Sequence, residues 1–262
     1  MQVLRLVFWK PYLSNSVFPE FYEHPPLALG LQSIWFRIFG DSILIERFYS
    51  LFTFILSGIG IVALWKQLGQ TIKTGWIPIF FWLIVSNVGW ACANNMLENT
   101  MTVFVVFAAW ASINGFNTNK LKYFVLSGFL LSLAFLSKGF VSFYIWALPF
   151  SWHLFLRSIS FKKMIFSTIL LVASTLLPLI LLYFLWDEAA HNLSSYFNKQ
   201  VVGSIQNAST VDSRFAIFGE FLQHSIAPLL VAVLVVLFSL KNLNFRTLFF
   251  SNKKMIGVFV FI

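Results

Sequence analysis

The sequence contains few charged residues and a single cysteine. Of its 262 residues, 10% are charged and 59% are hydrophobic, and the mean hydropathy is +0.82. A soluble domain of this length needs more charge to cover its surface. The lone Cys92 excludes an intramolecular disulfide framework and a cysteine-rich metal site. The sequence also lacks a Gly-rich phosphate loop, a Ser/His/Asp set and a zincin motif, which argues against a nucleotide site of the soluble type.

Long apolar runs make up most of the chain. A helix of about 20 apolar residues crosses a hydrocarbon core of about 30 Å, so these runs predict an all-α polytopic membrane protein. The predicted spans are 44–65, 76–93, 98–114, 121–137, 139–156, 164–186 and 221–240, with a partial span at 255–262. Residues 1–43 are predicted to form an external segment with an interfacial helix at 26–39. Residues 44–262 form the transmembrane bundle, with an external loop at 187–219.

The charged residues are segregated between alternate loops. One set of loops carries Lys66, Lys73, Lys120, Lys122, Arg157, Lys162, Lys163, Lys241, Arg246, Lys253 and Lys254, with no acid among them. The positive-inside rule assigns these loops to the cytoplasm. All nine acids lie on the other side. The net charge of +9 therefore indicates cytoplasmic loops and anionic lipid instead of nucleic acid, and we expect a site on the external face.

The segment Phe21–Leu27 is the first candidate for a site. Pro25 and Pro26 disfavour helix before them and suit the first turn of a helix that follows, which places Glu23 and His24 at a helix N-terminus. Such an N-terminus favours an anion. His24 can bind phosphate when protonated or a metal when neutral. The alternative is a proline-rich turn with solvated polar residues.

Two further charged residues lie at predicted membrane boundaries. The apolar run from 121 to 156 is too long for one span and must turn at Gly139, which leaves Lys138 at the external boundary. Lys138 either pairs with a lipid phosphate or extends to the membrane surface as an ordinary terminal lysine. Glu98 either complements a helix dipole or lines a polar cavity together with the asparagines around it.

These motifs occur in an order that resembles the ArnT/PMT-like superfamily of membrane glycosyltransferases. That pattern has an acid, a basic residue, Pro-Pro-Leu, a hydrophobic helix, Phe-Gly, and an Arg near the next span. It also has an acid at a helix start, a Lys-Gly after an apolar run, and an external Tyr-Phe segment. The matching positions are Glu23, His24, Pro25, Pro26, Leu27, Phe39, Gly40, Arg47, Glu98, Lys138, Gly139, Tyr196 and Phe197.

The resemblance implies a GT-C-type transmembrane helix bundle with interfacial external helices. It also implies an enzyme that moves a sugar from a polyprenyl-phosphate donor to a lipid, glycan or protein acceptor. The expected location is the bacterial inner membrane, with the active site on the periplasmic face. His24, Lys138 and Arg47 would bind the donor phosphate, because its departure as an anion requires positive charge. Glu23 and Glu98 would contact the acceptor or a divalent metal, with Glu23 as the metal ligand. Tyr196 and Gln200 are possible contacts from the external loop.

Two features depart from the family pattern. His24 replaces a residue that is usually Lys, which makes its charge dependent on pH. The family's first span and its general-base Asp should also precede Glu23, yet there is no acid between Met1 and Pro19. We therefore expect a fragment that lacks the family's first span and C-terminal part and is inactive alone. Either truncation or a degenerate gene would account for it.

Two other functions remain open from the sequence. A transporter would place ionisable groups near the bilayer midplane, where these spans have almost none. A catalytically inactive protein that binds polyprenyl phosphate would explain the absence of the expected Asp.

Overall fold

The computed structural model describes residues 8–9, 21–203 and 215–240, and all of the regular secondary structure in these ranges is helical. The α-helices are α1 (Leu27–Phe39), α2 (Ile43–Gln67), α3 (Trp76–Leu83), α4 (Ser86–Ala93), α5 (Leu97–Thr118), α6 (Lys122–Lys138), α7 (Leu148–Leu156), α8 (Phe161–Leu185), α9 (Asp187–Tyr196) and α10 (Ala216–Leu240). Ile72–Thr74 and Phe140–Ala147 are 3₁₀-helical, and Phe197–Val202 continues α9 as a π-helix. The predicted partial span at 255–262 lies outside the described residues.

Local sequence signals account for several helix ends. The side chains of Ser42 and Ser160 cap α2 and α8, accepting hydrogen bonds from Ile45 N–H and Lys163 N–H, both at 3.3 Å. Helix α1 begins directly after Pro26, as the sequence predicted. Gly40 and Gly139 end α1 and α6 with φ of 96° and 99°, a conformation that glycine adopts without a Cβ clash.

Three of the described helices, α2, α5 and α8, are long and apolar enough to cross a membrane. A fourth candidate is the stretch from Ile72 to Ala93, which bends by 83° between α3 and α4. The chain is therefore an integral, all-α, polytopic membrane protein. The sequence predicted about seven spans, and that number stays a prediction.

Helix α5 lies at the centre of the bundle and packs against α2 and α6, while α8 packs on the far side of α6. Ser127 bridges the α5–α6 interface, with a hydrogen bond to the Ser112 hydroxyl at 2.8 Å and one to the Ala108 carbonyl at 2.7 Å. A Cβ on Gly128 would approach the Leu171 carbonyl oxygen to 2.7 Å, so glycine allows α6 and α8 to pack closely. Small residues and interhelical hydrogen bonds of this kind hold helices together in lipid.

The helix directions define two ends of the bundle. Helices α5 and α6 are antiparallel neighbours, so Glu98 at the start of α5 and Lys138 at the end of α6 lie together. We call this end the site end. The opposite end contains Asn119 after α5 and Lys163 at the start of α8, and these two side chains are hydrogen-bonded.

Candidate functional site

An ion pair between Lys138 and Glu98 forms the centre of the site end. Lys138 is the last residue of α6, and Glu98 occupies the first turn of α5, forty positions away in sequence. The side chain of Lys138 is 19% exposed and that of Glu98 is 35% exposed. One carboxylate oxygen, Oε1, accepts from Lys138 Nζ. The other oxygen, Oε2, is enclosed and has no hydrogen-bond partner among the described residues.

His24 lies beside this pair, in the turn that precedes α1. Burial lowers the pKa of its imidazole below the ordinary value of 6.5, and the positive charge of Lys138 lowers it further. The Glu23 carboxylate opposes both effects. His24 is therefore neutral near pH 7, and its buried Nδ1 has no hydrogen-bond partner among the described residues. A neutral imidazole leaves Lys138 as the cation of this group.

Tyr196 closes the site end from the external segment. Its buried hydroxyl accepts a hydrogen bond from the Phe140 backbone N–H at 3.4 Å, and its ring stacks on the Phe140 ring with a centroid distance of 5.9 Å. Burial raises the pKa of this phenol, so it stays protonated. Gly139 lies directly beneath Tyr196, since a Cβ at position 139 would overlap the hydroxyl.

The external segment also contacts the turn that contains Glu23. The ring of Tyr22 lies against His191 of α9, with centroids 5.4 Å apart, and Lys199 Nζ lies 5.6 Å from the centre of the same ring. Asn192, which is fully buried, donates from Nδ2 to the Trp9 carbonyl oxygen at 3.0 Å. The fold thus brings both His191 and Lys199 to the Tyr22 ring.

The structure brings four of the predicted site residues together: His24, Lys138, Glu98 and Tyr196. Glu23 is exposed at the edge of the group, where its charge acts on His24. Arg47 is exposed near the start of α2 and makes no ion pair within the described ranges. Gln200 is half-buried on the π-helical segment beyond Tyr196. The roles assigned to all seven residues stay predictions.

The polar contacts that hold α5 beside α2 and α4 were not predicted from the sequence. Asn99 Nδ2 donates to Ser50 Oγ at 3.2 Å and to the Ala91 carbonyl at 3.0 Å. The hydroxyls of Tyr49 and Thr100 are hydrogen-bonded at 2.8 Å, and both residues are buried. The feature of the sequence that could have indicated these contacts is a pair of polar residues near the start of each helix, Tyr49 and Ser50 in α2 and Asn99 and Thr100 in α5. Together these contacts fix the backbone that carries Glu98.

A divalent metal has no evident ligand set here. Nowhere in residues 8–9, 21–203 and 215–240 do three or more His, Cys, Asp or Glu side chains form a group that could hold an ion. Glu98 is already paired with Lys138, whose charge would repel a metal cation. The metal suggested by the resemblance therefore stays a prediction, and the proposed sugar transfer does not depend on it.

Two concave spaces lie at the site. An open groove of about 430 Å³ between the 3₁₀ segment, α8 and α9 is lined mainly by apolar side chains, among them Phe140, Leu179, Phe184 and Tyr196. A cavity of about 280 Å³ lies between α2, the bent α3–α4 pair and the start of α5, and Glu98 lines it. Glu98 of the cavity wall pairs with Lys138, which precedes the groove residue Phe140 by two positions in the sequence.

The helical bundle and the ion pair between the start of α5 and the end of α6 show what class of protein this is. It is an all-α membrane protein with a charged site at one end of the bundle. The chain belongs to the dolichyl-phosphate-mannose-protein mannosyltransferase family, whose model matches residues 23–186. This match confirms the resemblance and supports a membrane glycosyltransferase in general. No curated protein and no solved structure matches the chain.

Proposed function

We propose that the chain works in transfer of a sugar from a polyprenyl-phosphate donor to a lipid, glycan or protein acceptor. The reaction would take place at the site end, on the periplasmic face of the bacterial inner membrane. The observation that carries the proposal is Lys138, a half-buried cation at the end of α6, two positions before Phe140 of the apolar groove. A phosphate group at the membrane boundary with an apolar tail matches that combination of charge and shape.

The chemistry assigned to these residues concerns the leaving group. Transfer breaks the bond between the sugar carbon and the phosphate oxygen, and the bonding electrons leave with the polyprenyl phosphate. The Lys138 ammonium would stabilise the charge that develops on that oxygen. The new bond forms to an acceptor hydroxyl, whose proton passes to a general base. Glu98 positions Lys138 until the phosphate competes for the ammonium.

The apolar groove would hold the isoprenoid tail of the donor. Its walls include stacked aromatic rings, with Phe135 against Phe143 at a centroid distance of 5.2 Å. Phe184 on α8 is 76% exposed, so the groove opens toward the surface that α8 presents to lipid. A tail that lies there would place its phosphate near Lys138, since the groove residue Phe140 follows Lys138 by two positions.

Binding of undecaprenyl phosphate to the protein in nanodiscs tests the proposal. Lys138→Ala is expected to weaken binding by about 10- to 100-fold, the effect of losing one charge-assisted hydrogen bond. Lys163→Ala is the matched control, because Lys163 is a lysine at the opposite end of the bundle that also has a side-chain partner. Equal affinities for wild type and Lys138→Ala would refute the proposed donor site.

A second candidate is a protein that binds polyprenyl phosphate without catalysis. The observation that favours it is the ion pair itself, which engages the Glu98 carboxylate and removes it as a free base. Incubation with a panel of polyprenyl-phosphate sugars and bacterial envelope acceptors distinguishes the two. Radiolabel transfer that is lost in Lys138→Ala supports the enzyme, whereas tight binding with no transfer supports the binding protein.

A further inference from the structure

The cavity of about 280 Å³ beside Glu98 has no part in the donor-lipid site described above. Its walls come from α2, from both halves of the bent α3–α4 pair and from the start of α5. The helix pair breaks by 83° at this place. Irregular backbone at membrane depth is tolerated where it is buried in protein or lines a cavity, so the bend and the cavity are consistent with each other.

The chemistry of the cavity wall is distinctive. It combines two indoles, Trp82 and Trp90, with the neutral polar side chains of Asn87 and Thr102 and the carboxylate of Glu98. The Trp82 ring is held in place by Phe54, which stacks on it with centroids 4.9 Å apart and an interplanar angle of 12°. Among the described residues that line the cavity there is no Lys or Arg. A phosphate or another anion in the cavity would therefore meet the Glu98 carboxylate, while Lys138, the ion-pair partner of that carboxylate, does not line the cavity.

We propose that this cavity binds the neutral sugar ring of a substrate, an inference that rests on the proposed glycosyl transfer. Sugar hydroxyls donate to a carboxylate and exchange hydrogen bonds with amide and hydroxyl groups. The apolar C–H face of a sugar ring packs against an indole face. The volume lies just below the lower end of small-molecule sites, about 300 Å³, and so suits a single sugar unit.

The location of the cavity fits this assignment. Glu98 lines the cavity and also pairs with Lys138, so the sugar subsite adjoins the proposed phosphate position. The Oε2 atom of Glu98 is enclosed and has no partner among the described residues, so it is the carboxylate oxygen that Lys138 leaves unpaired. The ring belongs either to the donor or to a glycan acceptor, since both present the same hydroxyl groups to the cavity.

The experiment compares the affinity of the full chain in nanodiscs for undecaprenyl phosphate with its affinity for the same lipid carrying mannose, glucose, galactose, N-acetylglucosamine or arabinose. If the ring belongs to the donor, Trp90→Ala weakens binding of at least one glycosylated lipid by about tenfold and leaves the bare lipid unchanged. Trp90→Phe, which keeps an aromatic face, is expected to restore most of the affinity. Trp90 is 58% exposed, so its truncation does not open the core.

Trp76→Ala is the matched control. Trp76 is 64% exposed, begins the other half of the same bent pair and does not line the cavity. Membrane anchoring by surface indoles would make the two alanine variants behave alike, which would overturn the proposal. A neutral oligosaccharide, tested alone, shows whether the bound sugar belongs to the donor or to the acceptor. If Trp90→Ala weakens binding of the oligosaccharide but of none of the glycosylated lipids, the cavity holds the acceptor.

The two proposals fail in different ways. Unchanged binding of every sugar-bearing ligand to Trp90→Ala would refute the sugar subsite and leave the lipid-phosphate site standing. Unchanged binding of the bare lipid to Lys138→Ala would refute the proposed donor site instead.

Discussion

At the scale of single residues, the site depends on how charge is shared between Lys138, Glu98 and His24. Lys138 has a carboxylate on one side and a neutral imidazole on the other. The Lys138 ammonium has one ion-pair partner among the described residues, which an incoming lipid phosphate would have to displace. In the proposed function, the ion pair holds the end of α6 against the start of α5 until Lys138 exchanges Glu98 for the donor phosphate.

Glu98→Gln tests that exchange. The substitution removes the competing carboxylate charge, so affinity for undecaprenyl phosphate is expected to rise. The same change leaves a half-buried lysine without its counter-ion, and we expect the protein to lose on the order of 1–3 kcal/mol of stability. The thermal midpoint and the dissociation constant report the two effects. Glu188→Gln, in the exposed first turn of α9, is the control and should change neither.

The pH dependence of stability tests the environment of His24. Because its pKa is lowered in the folded protein, the unfolded chain binds a proton more readily. The stabilising contribution is complete above pH 6.5 and is lost as the pH falls through the lowered pKa. The thermal midpoint of wild type should therefore decrease between pH 7.5 and 5.5 more than that of His24→Gln. Parallel curves for the two proteins would contradict the assigned environment.

At the scale of helices, the turn at Gly139 determines how Tyr196 packs against the end of α6, where Lys138 lies. It ends α6, starts the 3₁₀ segment and lies under the Tyr196 hydroxyl. The residue has to tolerate a positive φ and a ring in contact with its α-carbon. Glycine alone meets both conditions.

Gly139→Ala compared with Gly40→Ala separates these two conditions. Both glycines end helices at similar φ, but a Cβ on Gly40 would meet no atom within 4 Å. Backbone strain of about 1–3 kcal/mol is expected in each variant. Gly139→Ala should lose more, and only this variant should lose affinity for undecaprenyl phosphate, because it displaces Tyr196. Thermal midpoints and binding measure the difference, and equal losses in the two variants would argue against the contact.

At the scale of the whole molecule, the helix directions place three acidic groups at one end of the bundle and Lys163 at the other. Glu23, Glu98 and Asp187 belong to the site end, while Asn119 and Lys163 mark the other end. The positive-inside rule then predicts that the site end is periplasmic.

Cysteine labelling in intact bacterial cells tests this orientation. In a Cys92→Ser background, a cysteine at Asp187 is expected to react with a membrane-impermeant maleimide from outside. A cysteine at Lys120, beside Asn119, should react only after permeabilisation. The reverse pattern would place the site in the cytoplasm and exclude a periplasmic reaction.

The sequence predicted much of the fold and part of the site. Pro25, Pro26, Gly40 and Gly139 act on their own backbone, so the start of α1 and the ends of α1 and α6 were readable locally. The bend between α3 and α4 was missed, because the apolar composition of 76–93 is as compatible with a broken helix as with a continuous one. Lys138 and Glu98 were chosen as candidates separately, with no indication that they form a pair.

The sequence by itself determined that this is an all-α membrane protein, where several of its helices end and which residues carry charge near the membrane boundary. These properties follow from side-chain hydrophobicity and backbone preference, which act over a few residues. The tertiary structure alone decided that Lys138 meets Glu98 across forty residues and that Tyr196 covers the Gly139–Phe140 peptide across fifty-six. Such contacts depend on how the helices pack, and the packing is set by small residues and buried hydrogen bonds spread over the whole bundle.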